Sequence, residues 1–268
     1  MNPYCLKHKV ALVTGGASGI GLAFCWELAR QGAMIAMLDM DEKGLEMQQQ
    51  IFSDQGYKIL VVVCNVIKEA DCNAAINQVL NEFGKIDILF NNAGITQRGL
   101  FEKTDIAVFK KVMDVNFFGS LYCTKAALPS LIQTKGIIIV NESIAGVAPL
   151  LGRTGYSASK HALHGLFTSL RCELRHKGVH VMIVCPGFIR TNLQTRALGS
   201  DGKIAGHAQT MVGKADTPEN AAGQIVKGII QKKPLLVLTW IGKLGYLVSR
   251  LFPLLYEHIM TRQFKKEL

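Results

Sequence analysis

Tyr156 and Lys160 stand four residues apart in the stretch Tyr-Ser-Ala-Ser-Lys, and Ser143 lies 13 residues before the tyrosine. A four-residue spacing puts the phenol and the ammonium on one face of a helix. Ser143 directly follows Gly136 to Glu142, an apolar run typical of a strand buried on both faces. A strand-end hydroxyl therefore precedes the helix that carries the pair. An unperturbed tyrosine has a pKa of about 10, so acting near neutral pH requires a drop of roughly 3 units, or about 4 kcal/mol. One ammonium about 4 Å away supplies about that much at an effective dielectric of ~20. The three residues are equipped to move a proton on or off an oxygen atom.

A second chemical signal sits in Val10 to Gly21, Val-Ala-Leu-Val-Thr-Gly-Gly-Ala-Ser-Gly-Ile-Gly. An apolar β-branched run ends at a glycine-rich turn, and a helix-period segment, Ile20 to Ala29, follows at once. Gly15, Gly19 and Gly21 let the backbone approach a pyrophosphate with no Cβ in the way. The new helix points its free N–H groups and positive end at the phosphates. Asp39 comes 18 residues beyond Gly21. An acid about 20 residues after such a turn can accept hydrogen bonds from the adenosine ribose. It would also repel a 2′-phosphate, and no Arg or Lys sits beside it or inside the turn, so NAD is favoured over NADP. The plainer role for Asp39 is a solvated carboxylate opening the next helix, since Asp41 and Glu42 follow.

The elements that must position these groups alternate. Strands are expected at Val10 to Val13, Met34 to Leu38, Lys58 to Cys64, Ile86 to Phe90, Gly136 to Glu142, His180 to Cys185 and Pro234 to Leu238. Helices are expected from Ile20, from about Lys68 to Phe83, from Thr104 to Gln133, from about Gly155 to Lys177 and from Pro218 to about Gln231, the last with Thr217 as its cap. Alternation of this kind gives an α/β fold, a single doubly wound parallel sheet of about seven strands with helices on both faces. No internal repeat or linker breaks it. Residues 1–239 form a dinucleotide-binding and catalytic unit, and residues 240–268 a helical extension of the same domain. Asn192 to Gly213, polar and glycine-rich, is the natural lid over a substrate.

The turn spacing Thr14-Gly15-x-x-x-Gly19-x-Gly21, the tetrapeptide Asn91-Asn92-Ala93-Gly94, the Ser143 and Tyr156-x-x-x-Lys160 set and the Pro186-Gly187 turn resemble the short-chain dehydrogenase/reductase family. The likeness runs over roughly Lys7 to Leu238. It implies a Rossmann-type fold and NAD-dependent hydride transfer between a secondary alcohol and a ketone. Tyr156 would be the general acid/base, Ser143 the group that holds the substrate oxygen, and Lys160 the ligand of the nicotinamide ribose. Asn116, in Asp-Val-Asn-Phe-Phe-Gly, would hold a water on the proton path. The resemblance assigns cofactor contacts to Gly15, Ser18, Gly19, Ile20 and Gly21, to Asp39, to Asn65 and Val66, and to Asn92, Ala93 and Gly94. It adds Tyr156 and Lys160 themselves, then Pro186, Gly187, Ile189 and Thr191 around the nicotinamide. Two positions depart from the family pattern. Asn65 replaces an Asp that accepts from adenine, and Glu142 replaces a Ser before the catalytic Ser. Strand alternation sends Glu142 to the side opposite Ser143, so it should alter the surroundings and not the chemistry. Pocket candidates Ile95, Gln97, Leu150, Leu151, Phe188 and Leu193 are mostly apolar, which suggests a lipophilic alcohol or ketone. Two alternatives remain open: a dinucleotide-binding sensor or scaffold without turnover, and an NADP-linked reductase.

Bulk properties bound the partners. The 268 residues carry seven cysteines with no Cys-x-x-Cys spacing, which fits free thiols in a reducing, cytoplasmic setting and no metal site. Net charge is +10, and Lys232 to Leu268 holds seven Lys/Arg against two acids. No nucleic-acid module accompanies that charge. In the tail, apolar residues recur at helical spacing from Trp240 to Ile259, interrupted by Lys243, Arg250 and Arg262. Those charges exclude a bilayer span, and Pro253 should divide the helix. The tail either packs on protein or rests as an amphipathic helix on an anionic membrane. The two long central helices are apolar on more than one face, so a homodimer or homotetramer is expected.

Overall fold

A computed structural model describes residues 4–206, 210–211 and 213–265. Part of the expected lid, at 207–209 and 212, and the last three residues of the tail lie outside the described residues. Seven strands form one parallel sheet: β1 (Val10–Thr14), β2 (Met34–Asp39), β3 (Ile59–Val63), β4 (Ile88–Asn91), β5 (Ile137–Asn141), β6 (His180–Cys185) and β7 (Leu235–Val237). Their order across the sheet is β3-β2-β1-β4-β5-β6-β7. Winding reverses between β1 and β4, and the crevice at the carboxyl ends of those strands is where sheets of this kind bind ligands.

Side-chain alternation divides the core between two faces. Ala11, Val13, Ile137 and Ile139 face α1 (Gly19–Arg30), α2 (Glu42–Asp54) and α7 (Pro218–Ile230), where Phe24, Leu28, Phe52 and Ile225 are packed. Val10, Leu12, Ile138 and Val140 face α3 (Glu69–Phe83), α5 (Gly119–Thr134) and α6 (Thr154–Leu174), where Ile76, Leu131, Leu163 and Phe167 lie. Apolar strands with no polar alternation are what a sheet covered on both faces requires.

The expected helix from Thr104 to Gln133 is interrupted. α4 (Ile106–Met113) passes into a π turn at Asp114–Phe118 before α5 begins. The widened turn carries Asn116, whose side chain bonds outside the helix, which explains why a poor mid-helix residue is accommodated. The tail divides as expected at Pro253 into α8 (Trp240–Leu251) and α9 (Pro253–Gln263). Thr239 caps α8 by accepting from the Gly242 N–H at 3.1 Å.

The amino ends of the central strands are pinned by one buried acid. Asp87 Oδ2 accepts from the Val10 N–H at 3.0 Å, while Lys9 and Lys85 reach its two oxygens at 2.8 and 3.0 Å. Its carbonyl accepts from the Ile137 N–H at 2.8 Å. Burial works against the charge, but the Lys9 hydrogen bond, the Val10 N–H and Lys85 outweigh it and hold the carboxyl below its ordinary range. A depressed carboxyl stabilises the fold above its unfolded pKa, and that contribution fades as pH falls through the folded value. Asp87→Asn should therefore cost about 2 kcal/mol at pH 7 and progressively less as pH falls through the folded carboxyl's lowered value. Urea unfolding across the acid range checks this, and a loss that does not shrink with falling pH would contradict it.

Candidate active site

β5 ends at Asn141 and the chain turns sharply. Ser143 is extended and opens a 3₁₀ turn at Ile144–Gly146, its Oγ accepting from the Ala145 N–H at 3.1 Å. Two residues into α6 comes Tyr156, buried, with Lys160 one helical turn further on the same face. Lys160 Nζ lies 5.6 Å from the centre of the Tyr156 ring and donates to the Asn141 carbonyl at 2.7 Å. The hydroxyl, phenol and ammonium thus share one cavity of about 920 Å³ with the glycine turn.

The electrostatics of the pair differ from the simple picture of a lysine depressing a tyrosine. Burial pushes the Tyr156 phenol above its ordinary value; a Ser143 hydrogen bond and the Arg153 charge pull it back, and Glu142 pushes it up. Burial takes Lys160 down to about 8, against the opposing pull of Glu142 and Cys185. As the chain stands, the phenol is held protonated.

Two asparagines join the phosphate end of the cavity to this pair. Asn92 Nδ2 donates to the Thr14 and Gly15 carbonyls, both at 3.0 Å, and Asn92 Oδ1 accepts from Asn141 Nδ2 at 2.9 Å. Thr14 Oγ1 accepts from the Asn92 and Ala93 N–H groups, each at 3.0 Å. The turn itself fits a pyrophosphate. Gly15 and Gly19 have φ of +64° and +57°, which favour glycine, and a Cβ at Gly19 would press on Thr191 Cγ2 at 3.2 Å. No side chain caps α1 and no acid occupies its first turn, so its first N–H groups have no side-chain acceptor. A Cβ at Gly94 would lie 3.1 Å from Asn116 Oδ1 and 3.6 Å from Lys160 Nζ, filling the space between them.

Of the residues singled out in the sequence, Gly15, Ser18, Gly19, Ile20, Asp39, Val66, Asn92, Ala93 and Gly94 line the cavity. So do Ser143, Tyr156, Lys160, Pro186, Gly187, Ile189 and Thr191. Asp39 accepts from the Ala17 N–H at 3.1 Å and the Asp41 N–H at 3.2 Å, which steadies it beside the glycine turn.

Three expected residues do not reach the cavity. Gly21 is a packing position: a Cβ there would overlap the Gly15 carbonyl and lie 2.5 Å from Asn92 Nδ2. Asn65 turns its Oδ1 onto the Ile67 N–H at 3.3 Å, and Cys64 and Val66 line the wall in its place. Asn116 is fully buried, with Oδ1 on the Ile95 N–H at 2.9 Å and Nδ2 on the Ile95 carbonyl and Ser159 Oγ at 3.0 and 2.9 Å. Among the pocket candidates, Gln97 is buried against the Gly99 carbonyl and the Tyr156 N–H, and the Leu151 N–H is turned onto Met260 Sδ. Ile95, Leu150, Phe188 and Leu193 do line the cavity.

Sequence reasoning missed two features. Glu142 lines the same cavity as Ser143. β5 ends at Asn141, so strand alternation does not extend to it. The second is the wall formed by Ile241, Leu244, Val248, Ile259, Met260 and Phe264 of the α8–α9 region. Its helical period was visible, but not which surface it covers.

The family model described as short chain dehydrogenase matches residues 9–200. Dehydrogenase/reductase SDR family member 7B of Xenopus tropicalis is 33% identical over 270 residues, covering 98% of this chain and 87% of that protein. An 11-beta-hydroxysteroid dehydrogenase-like 2 of Arabidopsis thaliana is 37% identical over 201 residues, 71% of this chain and 65% of its own length. The crystal structure of a short-chain dehydrogenase/reductase from Burkholderia phymatum in complex with NAD superposes with a TM-score of 0.81 at 24% identity, over 92% of this chain and 96% of that one. With the sheet order, the glycine turn and the Ser143, Tyr156 and Lys160 cluster in place, the chain belongs to the short-chain dehydrogenase/reductase family of oxidoreductases.

Proposed function

We propose that this protein uses NAD to interconvert a secondary alcohol and a ketone on a lipophilic substrate, with Tyr156 as the general acid/base. The observation that carries the reading is the placement of Ser143, Tyr156 and Lys160 in the same cavity as an uncapped glycine turn. When bound, a nicotinamide dinucleotide supplies a carbon that gives or takes hydride. The chain's part is to hold the reactants and to move the proton. The glycine turn and the start of α1 take the pyrophosphate, Asp39 the adenosine ribose, and Pro186, Gly187, Ile189 and Thr191 the nicotinamide end. Lys160 binds the nicotinamide ribose. Ser143 holds the substrate oxygen and stabilises charge that develops there. A phenol kept protonated by burial suits donation to a ketone oxygen. Asn116 takes a structural part in this scheme. It fixes Ser159, whose Oγ donates to the Tyr156 carbonyl at 2.8 Å, and so steadies the turn of α6 that presents the phenol.

Asp39 supports NAD over NADP, because its carboxylate borders the cavity where a 2′-phosphate would lie. The apolar wall, Ile95, Leu150, Phe188, Leu193 and the α8–α9 side chains, supports a lipophilic substrate. Tyr156→Phe should lower turnover at least a hundredfold and leave NAD affinity within about twofold, with NAD bound at least tenfold tighter than NADP by both proteins. Assays over lipophilic alcohols and fluorescence titration with each dinucleotide read these quantities. Turnover that survives in the variant would move the proton to another group, and equal affinities would remove Asp39 from the assignment.

Self-association is proposed through the outer faces of α4, α5 and α6. Ile106 is exposed there, and Phe118 stacks on Tyr122 at the surface. Light scattering at micromolar concentration should give at least twice the 29.3 kDa of the chain. A monomer would contradict it.

Peripheral membrane contact is the reading favoured by the outer face of α8–α9. Trp240, Leu247, Leu251, Phe252, Leu254 and Leu255 are exposed, with Trp240 at 75% and Leu254 at 79%. Lys243, Arg250 and Arg262 are exposed among them, which suits an anionic surface. No helix among the described residues is long and apolar enough to cross a membrane. The protein should sediment with phosphatidylserine vesicles at low salt, and Leu247→Glu combined with Leu254→Glu should abolish this. Failure of the unaltered protein to sediment would assign the apolar face to a protein partner.

A further inference from the structure

Glu142 is a buried carboxylate at the active site, where the family pattern has an uncharged serine. Its side chain has no solvent exposure. Oε2 accepts from Cys185 Sγ at 3.0 Å, and Oε1 lies 3.1 Å from His164 Nδ1. The Ile144–Gly146 turn closes over it so tightly that a Cβ on Gly146 would come within 2.7 Å of Glu142 Cγ. The carboxylate cannot swing away to water, and its neighbours hold it from three elements: the turn after β5, the end of β6 and α6.

The residues facing it are arranged for electrostatic coupling. Tyr156, Lys160 and His164 follow one another at four-residue spacing along α6 and so share a face. Lys160 Nζ is bonded to the carbonyl of Asn141, the residue directly before Glu142. His164 from α6 and Cys185 from β6 touch the carboxylate; Lys160 and Tyr156, on the same face of α6 as His164, feel its charge, and Arg153 acts on the same phenol. His164 carries charge only when protonated, and its ring is partly exposed. Asp39 and Asp41, the other carboxylates among the described residues of the cavity lining, belong to the β2 end.

We propose that Glu142 is a positioning residue of this site: its fixed, buried carboxylate supplies the negative charge that keeps Lys160 an ammonium beside Tyr156. The physical need is plain. An unpaired ammonium in a buried cavity reverts to a neutral amine, which would neither attract a phenolate nor present three donors to a ribose. The Asn141 carbonyl offers Lys160 a dipole, whereas Glu142 offers a full charge. Consistent with this, burial lowers Lys160 only to about 8, with Glu142 first among the groups acting against the fall. The same charge opposes ionisation of Tyr156, so Glu142 favours a protonated pair over a neutral lysine beside a phenolate.

This inference deepens the proposed proton transfer at Tyr156 and Lys160, and its test is separate from turnover. Lysine side chains labelled with ¹³C are titrated by NMR in the protein without dinucleotide, with Lys160→Met identifying the Lys160 signal. Glu142→Gln keeps the shape and the hydrogen-bonding capacity toward Cys185 and His164 but removes the charge. Its Lys160 midpoint should fall by about one pH unit or more from the unaltered protein's value. Glu142→Asp, which retains charge, should restore at least half of that shift. Glu142→Ser gives the same neutralisation with no buried amide, should the Gln variant fail to fold. An unchanged Lys160 midpoint in a folded neutral variant would overturn the proposal and leave Glu142 a packing residue. A loss of turnover in Tyr156→Phe would not bear on that outcome, so the two readings fail separately.

Discussion

The site depends on a short hydrogen-bonded line across the carboxyl ends of three parallel strands. Asn92, after β4, grips the carbonyls of Thr14 and Gly15 at the end of β1, and its oxygen is held by Asn141 of β5, whose own carbonyl receives Lys160. Each of these groups is at least partly buried, where an unmade hydrogen bond costs roughly 1–3 kcal/mol. The line therefore fixes the glycine turn relative to α6, although the two are about 140 residues apart in sequence. Neighbouring strands in a parallel sheet end side by side, which is why asparagine, with a donor and an acceptor on one short side chain, suits both links.

Burial then sets the charges. The cavity disfavours ions of either sign, raising the phenol of Tyr156 and lowering the ammonium of Lys160. Spacing alone suggests an attraction between phenolate and lysine, whereas the influences on the Tyr156 phenol here are burial, Ser143, Arg153 and Glu142. Ser143 and Arg153 act to ease ionisation of the phenol, and Glu142 acts against it. In this balance burial prevails and the phenol stays protonated.

Much of this was legible in the chain. Strands buried on both faces announce themselves as unbroken apolar runs, and all seven appear where expected with ends shifted by at most two residues. Tyr156 and Lys160 were legible because helical spacing alone places them together, and the glycine turn because positive φ and close approach admit few other residues. What stayed hidden depended on contacts distant in sequence. Asn116 could be marked as anomalous in a helix, but the π turn that absorbs it follows from its bonds to Ile95 and Ser159. Glu142 could be marked as a departure from the family pattern, but its partners, Cys185 on β6 and His164 on α6, are distant in sequence. Of the pocket candidates, Gln97 is bonded to Gly99 and Tyr156, and the Leu151 N–H to Met260 Sδ, contacts that no local pattern announces. Of the α8–α9 wall, only the period could be read.

That wall divides labour within the molecule. The groups proposed to handle the proton stand on strand ends and on α6, anchored in the two faces of the core. The apolar surface that closes over them comes largely from α8 and α9, which touch the rest through β7, the 144–146 turn and a few side chains such as Met260 and Phe264. Mutational drift can therefore act on the two at different rates. Changes along α8 and α9 reshape what fits in the cavity while the hydrogen-bonded line beneath stays intact. Lineages that share the same chemistry would then diverge in substrate by rewriting this hairpin, and a designer seeking a new specificity would begin there.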